Sequence, residues 1–402
     1  MLRSMYSGIS GMKNFQTKLD VIGNNIANVN TFGYKKGRVT FKDTMNQTIS
    51  GASAAQDNRG GKNPMQVGLG STIATIDTIH TGSSLQTTGR SLDLGIDGDG
   101  YFVVRQGDAQ YYTRAGNLYL DDNGNLVNAD GLKVQAYTVN PNTKQPTNIL
   151  GDVAVNVNSV MPSKATDTIT FSGNLYGQEN ELFTQQMKLI DKNGNGHNFE
   201  VQFERGATNT WSVKLISGTK EADIGNITFS GTPLAASFNE SSWTIDLDGD
   251  SNADFTDANI NINVDQLTSA DGELTAMADP NGNTSGSLES FNIGSMGEIN
   301  GVYSNGLIQN LGFIALAKFS NPSGLTKTGN NLFQESINSG TANINVAGEG
   351  RGVIASGSLE MSNVDLSEEF TEMITAQRGF QANTRIITTS DEILQELVNL
   401  KR

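Results

Sequence analysis

The two ends of the chain carry the same long-period hydrophobic pattern, and this pattern constrains the fold more than any other feature. Near the start, Met5, Met12, Leu19 and Ile26 recur every seven residues, and a second set near the end does the same. Such spacing places the apolar side chains on one stripe of an α-helix, so each terminal helix needs a partner surface. The predicted stripes are Met5, Ile9, Met12, Phe15, Leu19, Ile22 and Ile26 in the first helix, and Leu366, Phe370, Met373, Phe380, Ile387, Leu394 and Leu397 in the second.

Glycine weakens both predicted helices. Gly8, Gly11 and Gly23 lie in the first helix and Gly379 in the second. Each glycine costs about 0.5 to 1 kcal/mol relative to alanine in a helix interior. Two interpretations stay open: the helices pair in an ordinary monomer core, or they become ordered only when another surface packs against them.

Composition excludes several classes of function. The 402 residues are enough for two or three domains, and the net charge of −15 gives no electrostatic footprint for nucleic acid or anionic lipid. Cysteine is absent, which excludes disulfides, thiolate metal sites and cysteine nucleophiles. Charged residues at 13, 18 and 20 interrupt the first apolar run, and no run is long enough for a membrane span. We therefore expect a soluble protein without membrane insertion that, if exported, leaves the cell without a cleaved signal peptide.

Between the helices the sequence predicts short β-strands separated by turns. Residues 46–63 are rich in Gly, Ser, Ala, Gln and Asn, which is typical of a loop or flexible arm. The run from Asp122 to Asn125 predicts a hairpin turn between 118–120 and 126–127. A crossing between domains is predicted at 139–145. Strands beyond it are predicted at 187–190, 198–203, 211–216 and 242–246.

We expect a mainly β fold with α-helical termini, in which nested β domains, one of them an inserted outer domain, stand on a two-helix terminal coiled-coil domain. The predicted divisions are residues 1–30 for the N-terminal helix of the inner-core domain, 31–65 for an extended linker or arm, 66–145 for the N-terminal part of the first β domain, 146–290 for the inserted outer β domain, 291–358 for the C-terminal part of the first β domain, and 359–402 for the C-terminal helix of the inner-core domain.

Both ends of the chain resemble one family. LDVIGNNIANVNTFGYKKGRVTF, residues 19–41, closely resembles the N-terminal signature of bacterial flagellar axial proteins, the rod and hook subunits. Residues 359–400, with the runs SNVDL and AQRGFQAN, resemble the C-terminal signature, and residues 87–104 and 301–325 resemble internal motifs of the family. The residues that match the terminal signatures are Asn24, Asn25, Asn28, Gly33, Asn363, Asp365, Gln377 and Arg378.

The resemblance implies a structural subunit of the flagellar hook, which self-assembles into a hollow, flexible tube and transmits torque from rod to filament. The inserted segment 146–290 favours the hook, because the distal rod subunit resembles a hook protein without that domain; the arm 46–63 is instead similar to an insertion of the distal rod. The implied partners are further copies of the chain, the rod, hook-cap and hook-filament junction proteins, and the type III export apparatus. The implied location is the flagellum, outside the cell.

Polar residues near both helix ends have more than one interpretation. Asn24, Asn25 and Asn28 interrupt the first stripe, either as an ordinary helix C-cap or as a polar device that fixes the register between subunits. Before the last helix, Ser362 or Asn363 is the predicted N-cap, and the acidic residues that follow favour the helix dipole.

One acidic run is a candidate calcium site. Its oxygen-bearing side chains occupy positions 1, 3, 5, 7, 9 and 12 of a calcium loop, but position 6 is Ser251 rather than Gly and position 12 is Asp rather than Glu. A solvated acidic turn is the alternative. The candidate ligands are Asp246, Asp248, Asp250, Asn252, Asp254 and Asp257.

The sequence offers little for enzymatic chemistry. His80 and His197 are the only histidines, and neither has a companion cluster, so a histidine-based metal site or catalytic triad lacks its components. We expect no catalytic residue and no cofactor. The alternative from another class is a secreted calcium-binding adhesive or carbohydrate-binding β module, in which the middle domain alone would carry the activity.

Overall fold

The chain divides into two units, each formed by separate stretches of the sequence. The structure, a computed structural model, describes residues 2–54, 60–140, 143, 145–156, 158–177, 181–206, 210–218, 220–230, 235–240, 244–245, 255–256 and 260–400. The first unit comprises Met1–Asn156, Phe291–Asn300 and Asn310–Arg402, and the second comprises Val157–Ser290 and Gly301–Gln309. The fold class is therefore as predicted, mainly β with a helix at each end.

Two long helices belong to the first unit. Helix α1 spans Leu2–Ala27 and helix α2 spans Leu366–Asn399. Among the described residues, neither helix combines the length and the apolar content needed to cross a membrane.

The first unit contains the β-strands before and after the second unit. On the outward path they are β1 (Gly37–Asp43), β2 (Asn46–Ser50), β3 (Met65–Gly68), β4 (Ser71–Thr78), β5 (Leu85–Thr87), β6 (Leu94–Asp97), β7 (Tyr101–Gln106), β8 (Ala109–Thr113), β9 (Tyr119–Leu120), β10 (Leu126–Val127), β11 (Lys133–Val139) and β12 (Pro146–Asp152).

The middle of the chain contributes the strands of the second unit and some strands of the first. They are β13 (Val160–Met161), β14 (Thr168–Asn174), β15 (Leu182–Ile190), β16 (Gly196–Arg205), β17 (Thr210–Ser217), β18 (Lys220–Ser230), β19 (Ala235–Glu240), β20 (Thr244–Ile245), β21 (Phe255–Thr256), β22 (Asn261–Thr268), β23 (Met277–Pro280), β24 (Gly286–Ile293), β25 (Glu298–Tyr303) and β26 (Ile308–Lys318). The return path adds β27 (Thr326–Gly329), β28 (Leu332–Gln334), β29 (Asn343–Val346), β30 (Val353–Ser356) and β31 (Ser358–Glu360).

In the first unit the return strands pair with the outward strands in nested order. Strand β31 pairs antiparallel with β5, β30 with β6, and β26 with β7. Strand β7 also forms a hairpin with β8 and pairs with β11. The chain thus retraces its own path, which brings its two ends back to the same place.

An aromatic cluster forms one core of the first unit. Tyr101, Tyr112, Phe319 and Phe333 are buried, and their rings meet edge to face with centroids 4.8 to 5.8 Å apart. Successive residues of a strand point to opposite faces, so Tyr101 and Val103 of β7 point into this cluster and their neighbours point to the other face. Both faces of β7 are covered, so Tyr101 through Val104 are all buried.

The second unit packs two sheets against each other. Strands β15 to β19 form an antiparallel meander, and β14 pairs parallel with β22 and antiparallel with β23. The strict alternation of β17 buries Trp211, Val213 and Leu215. These side chains join those of β14 and β22 in one apolar core.

The structure corrects the predicted organisation at three places. Part of the predicted loop 46–63 forms the hairpin of β2 with β3. The predicted crossing at 139–145 is followed by β12, which pairs with β11 and therefore stays in the first unit, so that unit continues to Asn156. Residues 301–309 belong to the second unit. The predicted hairpin around residues 122–125 is confirmed by the pairing of β9 with β10.

Candidate functional site

The two terminal helices pack side by side and run antiparallel. Early in α1, Gly8 and Gly11 face Asn383 of α2, whereas later in α1 Lys18 forms an ion pair with Glu372 at 3.0 Å. Residue numbers therefore rise along one helix as they fall along the other. This pair is the candidate assembly element.

Two glycines allow the helices to approach closely. A Cβ atom at residue 379 would lie 2.6 Å from the Phe15 ring, and one at residue 11 would lie 2.9 Å from the side-chain amide of Asn383. By contrast, a Cβ at Gly23 would meet no atom within 4 Å. From the sequence, these glycines predicted only a loss of helix stability; Gly11 and Gly379 also create the contact surface between the helices.

The predicted stripes are only partly covered within one chain. Ile22 is buried, and Met5, Ile9, Met12, Phe15, Leu19 and Ile26 are half-buried. On α2, Met373, Phe380, Ile387 and Leu394 are half-buried, whereas Leu366, Phe370 and Leu397 are exposed. Large apolar side chains outside the predicted stripe, Ile374, Ile386 and Ile393, are exposed as well. We call Leu366, Phe370 and Ile374 the uncovered face of α2.

Asn25 joins α1 to both α2 and the following segment. Its side chain is 1% exposed, accepts a hydrogen bond from Gly37 N at 2.9 Å and donates to Gly37 O at 2.9 Å. The same amide donates to Glu369 Oε2 of α2 at 3.1 Å. Asn25 therefore fixes the position of α1 against α2 and against the segment at Gly37 within the chain, and a role in the register between subunits stays a prediction.

Asn24 and Asn28 end the first helix. Asn28 N donates to Asn24 O and Asn25 O at 3.2 and 3.1 Å, and the Asn28 side-chain amide donates to Asn24 Oδ1 at 2.9 Å. Thr31 then donates to Asn28 Oδ1. These contacts satisfy groups at the helix terminus, so the C-cap interpretation describes this pair of asparagines.

The N-cap of α2 is Asp365, which corrects the predicted Ser362 or Asn363. The carboxylate of Asp365 accepts from Ser367 N and Glu368 N at 2.8 and 3.3 Å. Asn363 has a different role: it accepts from Lys36 N at 2.7 Å and donates to Ile79 O at 2.8 Å. The prediction was wrong because the tertiary contacts of Asn363 hold it outside the helix.

A buried ion cluster lies where the two terminal segments meet the β structure. Glu360 is fully buried, and its carboxylate accepts from Lys35 Nζ at 2.6 Å and from Arg114 Nη1 at 3.1 Å. Ser83 N donates to the same carboxylate at 3.2 Å, and Lys35 Nζ also donates to Thr81 O at 2.7 Å. We call Lys35, Arg114 and Glu360 the junction cluster. No sequence motif predicted it, because its members are far apart in the chain.

Gly33 brings the N-terminal segment onto this cluster. Its φ is +70°, and a Cβ there would lie 2.6 Å from Ala115 N, so only glycine fits. Gly33 N donates to Glu360 O at 2.8 Å. The remaining signature residues, Gln377 and Arg378, are exposed on α2.

Burial shifts the ionisation of these groups. It lowers the pKa of Lys35 below the ordinary lysine value, against the attraction of Glu360. It raises the pKa of Glu369, while the hydrogen bond from Asn25 opposes this rise. Tyr34 has a raised pKa through burial and the nearby charge of Glu369. Charged groups this deeply buried are stable only with their partners in place.

The other sequence candidates do not form a catalytic or metal site in the described residues. His80 lies 2.7 Å from Tyr101 Oη, and His197 lies 3.3 Å from Asp191 Oδ2 in the second unit. Over the described ranges, no group of three or more metal-ligating His, Asp or Glu side chains comes together. The calcium candidates Asp246, Asp248, Asp250, Asn252, Asp254 and Asp257 lie outside the described residues.

Comparisons with known proteins match the parts of the chain that build this site. Residues 5–35 match the family described as flagella basal body rod protein, residues 95–174 the D1 domain of flagellar hook protein FlgE/F/G, and residues 355–400 the C-terminal family of flagellar basal body rod FlgEFG proteins. The first and third ranges contain α1 and α2. The predicted resemblance is thereby confirmed.

Relatives align over the whole length. Flagellar hook protein FlgE of Borreliella burgdorferi is 38% identical over 100% of both chains, and that of Escherichia coli is 34% identical over 98% of both. Flagellar basal-body rod protein FlgG of Bacillus subtilis is 42% identical over 100% of both chains.

A solved structure has the same fold. The crystal structure of Helicobacter pylori flagellar hook protein FlgE2 matches with a TM-score of 0.50 at 14% identity, covering 69% of this chain and 100% of that one. Sequence and fold agree: the chain belongs to the family of bacterial flagellar hook and rod proteins.

Proposed function

We infer that the protein is the structural subunit of the bacterial flagellar hook, a hollow and flexible tube that transmits torque from rod to filament. Full-length relatives named flagellar hook protein support this function, and they place it in the bacterial flagellum. These relatives are structural proteins, and we propose that this chain likewise has no enzymatic activity and no cofactor.

The observation that carries the proposal is the uncovered face of α2. Leu366, Phe370 and Ile374 are 39%, 50% and 52% exposed, and they follow one another at four-residue spacing along one side of the helix. A contiguous apolar strip on a helix that already has one partner marks an interaction surface. In a homopolymer, the helices of neighbouring copies would cover it.

The junction cluster suits a subunit that carries mechanical load. Lys35 follows α1 and Glu360 precedes α2, so their ion pair joins the two segments that connect the helices to the β structure. Arg114, from the β structure, binds the same carboxylate. We propose that force applied to the helix pair passes through this cluster.

The domain assignment follows the same logic as a proposal. The helix pair would form the inner core of the tube, the β part of the first unit would form the first domain, and the second unit would be the inserted outer domain. Further copies of the chain would be the main partner. The rod, hook-cap and hook-filament junction proteins and the type III export apparatus are the remaining proposed partners.

Assembly of the purified chain tests the function. Negative-stain microscopy at raised salt should show curved tubes for the wild-type protein. Phe370→Ser with Ile374→Ser should raise the critical concentration for assembly strongly and lower the thermal stability of the monomer only modestly, because about half of each side chain is already exposed in the single chain.

Ile337→Ser is the matched control, since Ile337 is a fully exposed apolar residue outside the helices. It should assemble like the wild type. Normal assembly of the Phe370 and Ile374 variant would contradict the proposed role of the uncovered face, and the lack of any tube would contradict the function.

A distal rod subunit is the second candidate. The B. subtilis relative, named a rod protein, covers 100% of both chains, so the length of this chain does not separate the two names. Strand β2 of the β2–β3 hairpin lies in the segment 46–63, whose sequence is similar to a distal rod insertion. Straight, rigid tubes in the same microscopy would favour the rod, whereas curved tubes favour the hook.

A further inference from the structure

One buried carboxyl group lies between the terminal helices without a cation of its own. Glu369, near the start of α2, is only 5% exposed. Over the described residues, its carboxyl group has one hydrogen-bond partner, Asn25 Nδ2 of α1 at 3.1 Å, and forms no ion pair. Burial removes a charged group from water, so an ionised carboxylate here is costly unless a cation lies close to it.

The cations around Glu369 are paired with other carboxylates. The elements that line its surroundings are α1, the segment after α1, β1 and α2 itself. Every lysine or arginine that these elements place there has a carboxylate partner other than Glu369. The pairs are Lys18 of α1 with Glu372 of α2 at 3.0 Å, Lys36 of the segment after α1 with Glu368 of α2 at 2.7 Å, and Arg38 of β1 with Asp77 of β4 at 3.5 Å. An ionised Glu369 therefore adds a negative charge that none of these cations balances.

Asn25 can bind Glu369 with or without its proton. The orientation of the Asn25 amide is fixed by Gly37, whose N donates to Asn25 Oδ1 at 2.9 Å and whose O accepts from Asn25 Nδ2 at 2.9 Å. The remaining titratable neighbour, Tyr34, donates its hydroxyl to Asn25 Oδ1 at 3.4 Å. Asn25 Nδ2 therefore faces Glu369 as a donor, and both a carboxylate and a neutral carboxyl group offer it an acceptor oxygen. The proton thus changes the charge of this contact and leaves its acceptor in place.

Protonation of Glu369 and pairing of the helices favour each other. Burial raises the pKa of Glu369 above its ordinary value, as do the nearby carboxylates of Glu372 and Glu368, while the hydrogen bond from Asn25 and the charge of Lys36 oppose the rise. A carboxyl group whose pKa is higher in the folded arrangement binds its proton more tightly there than in the unfolded chain. By the same linkage, the bound proton stabilises the arrangement.

We propose that Glu369 is a proton switch of the helix pair: α1 and α2 pair tightly while its carboxyl group carries a proton, and loss of the proton weakens the pairing. The direction follows from the raised pKa. Stability from this group is fully present below the ordinary carboxyl pKa of 4.5 and is lost as the pH rises through the higher value of the folded chain. The contacts all lie within one chain, so the switch does not rest on the proposed function.

Glu369→Gln tests the switch. Glutamine keeps the size and the acceptor oxygen of the side chain and carries no charge, so it stands for the protonated state at every pH. Hydrogen exchange of the α1 and α2 amides is compared between the full-length wild type and the variant at the same pH, which cancels the intrinsic pH dependence of exchange. Near pH 4 the two should exchange alike, and near pH 8 the wild type should exchange about three- to tenfold faster. A ratio that does not change with pH, or one that changes in the opposite direction, would overturn the proposal.

Two further variants assign the effect to Glu369. Glu392→Gln removes an exposed carboxylate from the same helix and should exchange like the wild type at every pH. Lys36→Met removes a positive charge that opposes the raised pKa of Glu369. The ratio between Lys36→Met and its double variant with Glu369→Gln should therefore change at a higher pH than the ratio between the wild type and Glu369→Gln. A transition at the same or a lower pH, or a Glu392→Gln variant that behaves like Glu369→Gln, would contradict the assignment.

Assembly replaces exchange as the measure if the helices pair only in the tube. The wild-type α1 and α2 amides would then be unprotected in the monomer, and the critical concentration of the wild type relative to Glu369→Gln should rise about three- to tenfold between pH 4 and pH 8. A constant ratio, or unprotected helices in a chain that forms no tubes, would overturn the switch. A chain that forms no tubes but shows the expected exchange ratio would contradict the proposed function and leave the switch standing.

Discussion

Gly379→Ala and Gly23→Ala should change the stability of the helix pair in opposite directions. Both are glycine-to-alanine substitutions within a helix, and helix propensity alone predicts a gain of about 0.5 to 1 kcal/mol for each. At residue 23 the new methyl group meets nothing within 4 Å, so the gain should be realised. At residue 379 it would lie 2.6 Å from the Phe15 ring.

The contact with Phe15 determines the magnitude. Overpacking of this kind costs about 1 to 3 kcal/mol, which exceeds the propensity gain and leaves a net loss on the order of 1 kcal/mol. That loss corresponds to about a fivefold change in an equilibrium constant. Phe15→Leu should recover part of it in the Gly379→Ala background, because the smaller side chain makes room for the methyl group.

Two measurements locate the effect. If the helices already pair in the monomer, hydrogen exchange of the amides of α1 and α2 should be about fivefold faster in Gly379→Ala and slower in Gly23→Ala. If they pair only in the tube, the same free energy should appear as a raised or lowered critical concentration. The comparison therefore also decides between the monomer-core and assembly-coupled interpretations of the terminal stripes.

A shift of the same sign in both variants would refute the reasoning, because it would mean that residue 379 faces open space. So would a failure of both measurements to respond to Gly379→Ala. The Phe15→Leu background guards against a general loss of folding, since a globally damaged protein would not be rescued by a second truncation.

Three further predictions concern the junction and its surroundings. Glu360→Gln should lower the free energy of unfolding by about 3 kcal/mol or more, because it leaves the buried Lys35 and Arg114 without a counter-charge. The control is Glu368→Gln, at an exposed ion pair, which should cost less than about 1 kcal/mol; denaturant unfolding measures both. Burial lowers the pKa of His80 in the folded chain to about 4 from the ordinary 6.5, so between these pH values the unfolded state binds more protons. The free energy of unfolding should therefore fall as the pH drops from 6.5 towards 4. His80→Phe should flatten this part of the plot of unfolding free energy against pH. Asn25→Ala should lower the free energy of unfolding by about 1 to 3 kcal/mol, because it leaves the partly buried backbone groups of Gly37 unpaired. Asn24→Ala, at an exposed position, should lower it by less than about 1 kcal/mol, and equal losses would contradict the role of Asn25 in positioning α1.

Local sequence signals predicted the elements that depend on local physics. The heptad pattern predicted both helices, and alternation predicted strands such as 211–216, which the structure shows as Thr210–Ser217, because periodicity reports which face of an element is apolar. Turn chemistry predicted the hairpin around Asp122. These predictions need no knowledge of what the element packs against.

The sequence could not reveal contacts between distant segments. Lys35, Arg114 and Glu360 are separated by most of the chain, and each alone is an ordinary surface residue type. The N-cap of α2 was misassigned for the same reason: Asn363 has the right residue type, but Lys36 and Ile79 hold it in another role. Similarly, Gly379 costs helix stability when considered alone, and only the position of Phe15 shows why glycine is needed there.

The nested pairing of the first unit explains how such distant residues come to act together. Because β31 pairs with β5 and β30 with β6, the chain returns towards α2 beside its outward strands, and the segment before α2 then lies against the segment after α1. Gly33 N–Glu360 O, Lys36 N–Asn363 Oδ1 and the buried Lys35–Glu360 ion pair then cross-link these segments. A twist of the helix pair against the β structure must strain all of these bonds at once rather than one after another. Two covalent connections with such cross-links resist torsion better than a single flexible tether, and this is the mechanical property that a torque-transmitting subunit requires.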